Sequence, residues 1–211
     1  MDTHPTSYAV NPQEETRNRW TVGFRFILAI PHLLLVGGPG IGAGVGSDRT
    51  GVLGMVAGVA AVINWFIIVF TGKANADLMS LQRFYLRWRA RALAYEALLR
   101  DEYPPFGDGE YPVSAEFPAV TENRNRWTVG FRFILIIPQV IVLFFVAIAW
   151  AVTAIIGWFA ILFTGRYPDG LWRFGEGVMR WLLRVESYWL LLHDEIRRSV
   201  LNSSVGVVAV A

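Results

Sequence analysis

The twelve residues Arg17 to Leu28, RNRWTVGFRFIL, recur without change as Arg124 to Leu135, and a proline follows at the same place in each, Pro31 and Pro138. A long exact recurrence means that the chain builds one unit twice, so any fold proposed for one copy must suit the other. A second block confirms the duplication: NWFIIVFTG, ending at Gly72, matches GWFAILFTG, ending at Gly165. The match runs on through Leu78/Leu171, Arg87/Arg180, Trp88/Trp181, Arg91/Arg184, Tyr95/Tyr188 and Asp101-Glu102/Asp194-Glu195. The offset is 107 in the first block (124 − 17) and 93 in the second (165 − 72), so copy one holds 14 additional residues between them. They fall in the glycine-dense segment Gly37 to Gly51.

Two uncharged apolar tracts, Val52 to Phe70 and Phe133 to Phe163, decide the environment. The second is 31 residues long, well beyond the roughly 20 needed to cross a bilayer core. Charged residues make up only 17% of the chain, and the mean hydropathy is +0.40. A membrane protein is expected. The insert contains Asp48 and Arg49 and must be a loop outside hydrocarbon, so Trp20 to Val36 and Val52 to Phe70 read as the two spans of a hairpin. In copy two, one straight helix over Phe133 to Phe163 would be about 46 Å long and would need a tilt near 50° in a core of about 30 Å. Two shorter spans, about 127–142 and 147–163, with a turn near Val142 to Ala147, are the expectation there as well.

After each FTG the pattern turns periodic. Leu78, Leu81, Tyr85, Trp88, Ala92, Tyr95 and Leu99 recur at spacings of three and four, and Leu171, Phe174, Val178, Trp181, Val185, Tyr188 and Leu192 match them. These are amphipathic helices over about 77–101 and 170–194, with arginines on their other faces. Tryptophan and tyrosine beside arginine suit the headgroup layer, and packing of the two stripes on each other or on the spans suits them equally. The predicted fold is therefore all-α, an integral membrane protein of two tandem parallel repeats, each a short transmembrane helical hairpin followed by an amphipathic interfacial helix. Repeat one covers 17–102 and repeat two 124–195. A polar tail (1–16), an extended proline-rich acidic linker (103–123) and a C-terminal tail (196–211) complete the division. The first 16 residues lack the features of a cleaved signal peptide, which leaves the first span as the insertion signal. Arginine-rich flanks place the termini and the linker in the cytoplasm, for a multi-pass protein of the cytoplasmic membrane.

The residues RNRWTVGFRFIL followed by IPH or IPQ, the run WFAILFTGRYP, and DEYPPF closing copy one resemble a bacterial, mainly actinobacterial, membrane-protein family of unknown function. The resemblance covers nearly all of Arg17 to Glu195. Copy one departs after FTG, reading KANAD, and copy two departs at its end, reading HDEIRRS. The family implies a fold and no activity.

Among candidate sites, Arg17, Thr21 and Arg25, repeated as Arg124, Thr128 and Arg132, stand at spacings of four and form a hypothetical lipid- or anion-binding set, a guanidinium with a nearby hydroxyl being suited to a lipid phosphate. The competing reading is arginine that snorkels and fixes helix depth. Trp20, Trp88, Trp127 and Trp181 are expected at the interface. Asp101, Glu102, Asp194 and Glu195 are expected to form ion pairs with the arginines of the leading helices. No catalytic, metal or cofactor site emerges: His4, His32 and His193 have no ligand-like spacing, there is no cysteine, and the glycine run has no phosphate-loop pattern. The leading functional expectation is a non-enzymatic lipid-interacting or scaffolding subunit of a membrane complex. Its partners are then membrane lipids, anionic by the arginines, and another membrane protein or a second copy, with no nucleic acid. A small transporter or channel subunit is the alternative, resting on Gln139, Asn64, Thr153 and His32. An enzyme acting on lipids is the third reading and rests on the acidic pairs alone.

Overall fold

A computed structural model describes residues 5–13, 16–39 and 50–194. It is mostly helical, with seven helices and two short strands among the described residues. In chain order these are β1 (Ser7–Val10), α1 (Arg19–Gly23), α2 (Arg25–Val36), α3 (Val52–Thr71), α4 (Ala76–Glu96), β2 (Val113–Glu116), α5 (Arg126–Gly130), α6 (Arg132–Thr164) and α7 (Asp169–Trp189). The recurring RNRW motif starts a helix because its asparagine caps it. The side chain of Asn18 accepts from the backbone N–H groups of Trp20 and Thr21, and Asn125 does the same for Trp127 and Thr128. Each FTG stops a helix because its glycine takes the left-handed conformation, φ +74° at Gly72 and +73° at Gly165, and returns its N–H to Ile68 or Ile161.

The hairpin expected in copy two is corrected. α6 runs unbroken from Arg132 to Thr164, about 48 Å, and Val142 to Ala147 are helical. A turn there would expose backbone groups that a continuous helix satisfies internally. Copy one is not a hairpin either. α2 and α3 correspond to the two parts of α6, and they follow one another along α4. The start of α3 abuts the end of α2 so closely that a Cβ on Gly51 would stand 2.4 Å from the backbone of Leu35 and Gly37. The insert is an interruption of one long apolar rod. That interruption frees carbonyls at the end of α2, and Arg89 of α4 takes them up, donating to Val36 O at 2.5 Å, Gly37 O at 3.0 Å and Gly38 O at 3.0 Å. Its charge is matched by Glu186 of α7 at 2.7 Å, which also accepts from the Tyr85 hydroxyl. Copy two has no interruption, and there the residue equivalent to Arg89 is Leu182.

α4 and α7 each double back along the rod of their own copy. On α6 the buried residues Ile136, Leu143, Trp150 and Gly157 recur every seven positions, forming the seam against α7. Of the tryptophans expected at the interface, Trp88 and Trp181 pack against the protein. Trp181 is buried, and Trp88 is half-buried with its indole N–H on His32 Nδ1 at 3.1 Å, because both stripes form the protein core. The copies lock together reciprocally. Trp65 of α3 donates to Val129 O at 2.9 Å, and its equivalent Trp158 of α6 donates to Val22 O at 3.0 Å. Arg17 N donates to Gly165 O at 2.9 Å, and Arg124 N to Gly72 O at 3.2 Å. The leading helix of each copy thus sits at the far end of the other copy's rod, so the rods run antiparallel about a pseudo-two-fold axis.

The all-α expectation is also corrected in one detail. β1, from the N-terminal tail, pairs antiparallel with β2, from the linker, Ser7 opposite Glu116 and Val10 opposite Val113. Arginines on the faces of α4 and α7 outside the apolar stripes hold this layer: Arg180 donates to Tyr8 O, while Arg87 and Arg91 bind Asp108. The C-terminal tail lies outside the described residues. The apolar surface is on the rods. α3 and α6 are long and apolar enough to cross a membrane. Phe26, Ile27 and Leu34 of α2, Phe66 and Phe70 of α3, and Ile134, Phe144, Phe145, Ile155 and Phe163 of α6 are all exposed.

Candidate functional site

Where α1 turns into α2, and α5 into α6, the same construction occurs twice. Arg17 and Arg25 converge on Asp101, at 3.0 and 2.7 Å. Arg124 and Arg132 converge on Asp194, at 2.7 and 2.6 Å. Arg25 also donates to the carbonyls of Tyr95 and Arg100 at 2.8 Å, and its guanidinium lies 4.4 Å over the Tyr95 ring. Arg132 donates to Tyr188 O and lies 4.0 Å over the Tyr188 ring. Arg17 reaches Leu99 O at 2.9 Å, and Arg124 reaches Leu191 O at 2.7 Å. The arginines therefore cap the carbonyl ends of α4 and α7, where a cation offsets the helix dipole. Leu98 and Leu191, the leucines at these ends, hold left-handed backbone (φ 62° and 65°), a conformation that a leucine keeps only where its surroundings enforce it.

This geometry divides the expected lipid-binding set. Arg17, Arg25, Arg124 and Arg132 are buried and turned inward, away from any external phosphate. Thr21 and Thr128 are not their partners: each hydroxyl donates at 2.9 Å to the carbonyl of its own capping asparagine. The residues that do face outward are the neighbours, Arg19 and Trp20, and Arg126 and Trp127. The two tryptophans are 79% and 77% exposed and stack on Phe24 and Phe131. Asp101 and Asp194 pair with the leading arginines, whereas Glu102 binds the adjacent Arg100, which holds its carboxyl below the usual range against the opposing effect of burial. Glu195 and His4 lie outside the described residues.

The polar groups of the rods do not share a path. His32 is boxed by Tyr103 and Phe106, ring centroids 5.0 and 4.7 Å away, which is the structural use of the DEYPPF motif. Asn64 accepts from Asn75 N at 2.8 Å and ties the α3–α4 turn. Thr153 donates to its own helix at Trp150 O, and Gln139 is half-buried on the far copy.

Beside each junction is a cavity, and the two cavities are pseudo-symmetric. Arg25, Phe26, Leu98, Ala154, Ile155 and Trp158 line one; their equivalents Arg132, Phe133, Leu191, Ala61, Val62 and Trp65 line the other. Their sizes differ tenfold, about 520 Å³ beside Arg25 against about 50 Å³ beside Arg132. Trp189 lines the small one, and its equivalent in the large one is Glu96. Ala29 of the large cavity corresponds to Ile136. Both carboxyl oxygens of Glu96 are buried with no hydrogen-bond partner among the described residues. Burial pushes this carboxyl up to about 8, against a smaller opposing pull from Arg89.

The family described as a domain of unknown function (DUF4389) matches residues 50–107 and 126–196, one segment in each copy. No curated protein and no solved structure matches the chain.

Proposed function

We propose, for a chain that belongs to the DUF4389 family, that it is a non-enzymatic, lipid-interacting membrane protein, embedded by its two apolar rods and presenting its polar layer to the cytoplasm. One observation carries this reading: the large apolar side chains of α2, α3 and α6 face outward while the arginines and carboxylates nearest them are folded inward onto one another. Such a surface matches hydrocarbon. The rods lie along the bilayer rather than upright in it. Their antiparallel arrangement puts the two junctions at opposite ends, and the irregular, acidic segment 103–123 joins one junction to the other. Irregular polar backbone does not cross lipid-exposed hydrocarbon, so both junctions share one side. That side then carries every arginine cluster, as the positive-inside rule requires. Arg19 with Trp20 and Arg126 with Trp127 meet the headgroups, with a preference for anionic lipid, and replace the buried arginines as the lipid contacts. The transport reading is not favoured, because His32, Asn64 and Thr153 are each engaged at a separate place.

The cysteine-free chain makes the test direct. Lys73 and Arg166 are exposed equivalents at the far ends of α3 and α6. Single substitutions Lys73→Cys and Arg166→Cys are expected to react with an impermeant maleimide from the cytoplasmic side in both cases. Labelling from opposite sides would mean that the rods cross the bilayer.

A further inference from the structure

From the cavity beside Arg25 we infer that the protein holds one neutral lipid whose head is a bare hydroxyl, with Glu96 as the group that recognises it. The inference rests on the membrane reading above and adds to it the ligand's class.

The cavity is of a size that takes a small molecule or part of a lipid. Its walls are apolar except for Glu96 and Arg25, they reach Leu33 and Pro39 at the break in the rod, and Phe26, Ile155 and Phe159 on its rim belong to the exposed apolar face. A chain entering from hydrocarbon therefore meets apolar side chains first and a carboxyl last. Polar atoms buried without partners are rare in folded proteins and call for an explanation. Here the explanation is differential, because the chain contains its own control. At the pseudo-equivalent position copy two has Trp189, copy two has Ile136 where copy one has Ala29, and the cavity there is closed to about 50 Å³. Nothing in the shared architecture requires a carboxyl at this place.

The head that fits must be uncharged and able both to give and to accept a hydrogen bond. With its acidity weakened by burial, Glu96 is largely protonated at neutral pH, and a cationic head would gain little from it. An anionic head would be set against a carboxyl that ionises within reach of physiological pH. The two oxygens of the protonated Glu96 carboxyl supply both roles, one donating and one accepting. Acylglycerols with a free hydroxyl and long-chain isoprenoid alcohols both present this chemistry.

The test uses the full chain in nanodiscs of saturated phosphatidylglycerol and phosphatidylcholine. A brominated long-chain alcohol, added at low mole fraction, quenches Trp150 and Trp158, and its methyl ether serves as the comparison. One alcohol should saturate the protein and bind about tenfold tighter than the ether. Glu96→Ala should keep the cavity and lose the preference, and the double substitution Ala29→Ile, Glu96→Trp, which introduces the bulkier residues that copy two has at these positions, should bind neither. Equal binding of alcohol and ether to the native chain, or unchanged alcohol binding by the double variant, would overturn the inference. Incorporation into the nanodisc reports on the membrane reading separately, so a protein that inserts but shows no preference refutes the ligand alone. Mass spectrometry of lipid retained through purification, before and after mild alkaline hydrolysis, separates the two sources: an acylglycerol loses its chains and an isoprenoid alcohol does not, and either mass supports the assignment.

Discussion

Replacing Asp101 by asparagine should cost far more stability than the same change at Asp194, although the two residues occupy equivalent places in the repeat. Asp101 accepts from Arg17 at 3.0 Å, from Arg25 at 2.7 Å and from the backbone N–H of Asn18 at 3.1 Å. Its side chain is 9% exposed, and those of Arg17 and Arg25 are 3% and 2%. Asparagine keeps the shape but removes the charge, leaving two guanidinium groups in a site that water does not reach. Breaking a buried ion pair from one side costs roughly 3–5 kcal/mol. Asp194 is 25% exposed, so solvent compensates part of the loss, and about half that cost is expected there. Denaturant unfolding in mixed micelles, followed by tryptophan fluorescence, gives both values on one scale. If Asp194→Asn cost as much as Asp101→Asn, or if Asp101→Asn cost under about 1 kcal/mol, the claim that burial sets the worth of these junctions would be wrong.

Three further substitutions test other parts of the structure. Glu96 holds its proton in the folded protein up to about pH 8, while the unfolded chain releases it near the ordinary carboxyl value of 4.5. Stability should therefore fall as pH rises between those values, by at most about 1.4 kcal/mol per unit; Glu96→Gln should flatten this slope in unfolding measured at pH 5 and pH 8, and parallel curves would refute the buried carboxyl. A Cβ on Gly157 would stand 2.2 Å from Cε2 of the buried Tyr167, whereas one on Gly130 would meet nothing within 4 Å. Gly157→Ala should cost on the order of 1–3 kcal/mol and Gly130→Ala far less, and equal melting temperatures for the two variants would count against the packing of α6 on its return turn.

The parts of the fold legible in the sequence are those in which one residue acts on its near neighbours. The RNRW cap and the FTG stop belong here, as do the stripes of α4 and α7. The rod geometry was not legible, because the length argument treats hydrocarbon thickness as the limit and so divides Phe133–Phe163 into two spans. A helix lying along the bilayer has no such limit. β1 and β2 were hidden for a different reason: four-residue strands about a hundred positions apart carry no local signature, and only their pairing and their arginine anchors define them. Periodicity leaves Arg89 off the apolar stripe of its helix, although it is fully buried. The signal that could have found it lies in comparing the copies, since Leu182 stands in its place in the copy whose rod is uninterrupted.

The same comparison separates architecture from function. Residues identical between the copies, the arginine-aspartate junctions above all, serve contacts that the structure makes twice, so their repetition is explained by assembly alone. Function is better sought where equivalent positions diverge without a matching difference in fold. The pair Arg89 and Leu182 diverges, and the break in the rod accounts for it. Glu96 and Trp189 diverge beside junctions of the same construction, with Ala29 and Ile136 diverging alongside; the break in the rod reaches this cavity through Pro39, but Glu96 itself stands on a helix that both copies build alike. An unpaired buried carboxyl is unfavourable in an apolar setting. A chain that already contains the tryptophan solution in its other half, and does not use it here, points to a role for the carboxyl outside the folding of the chain itself.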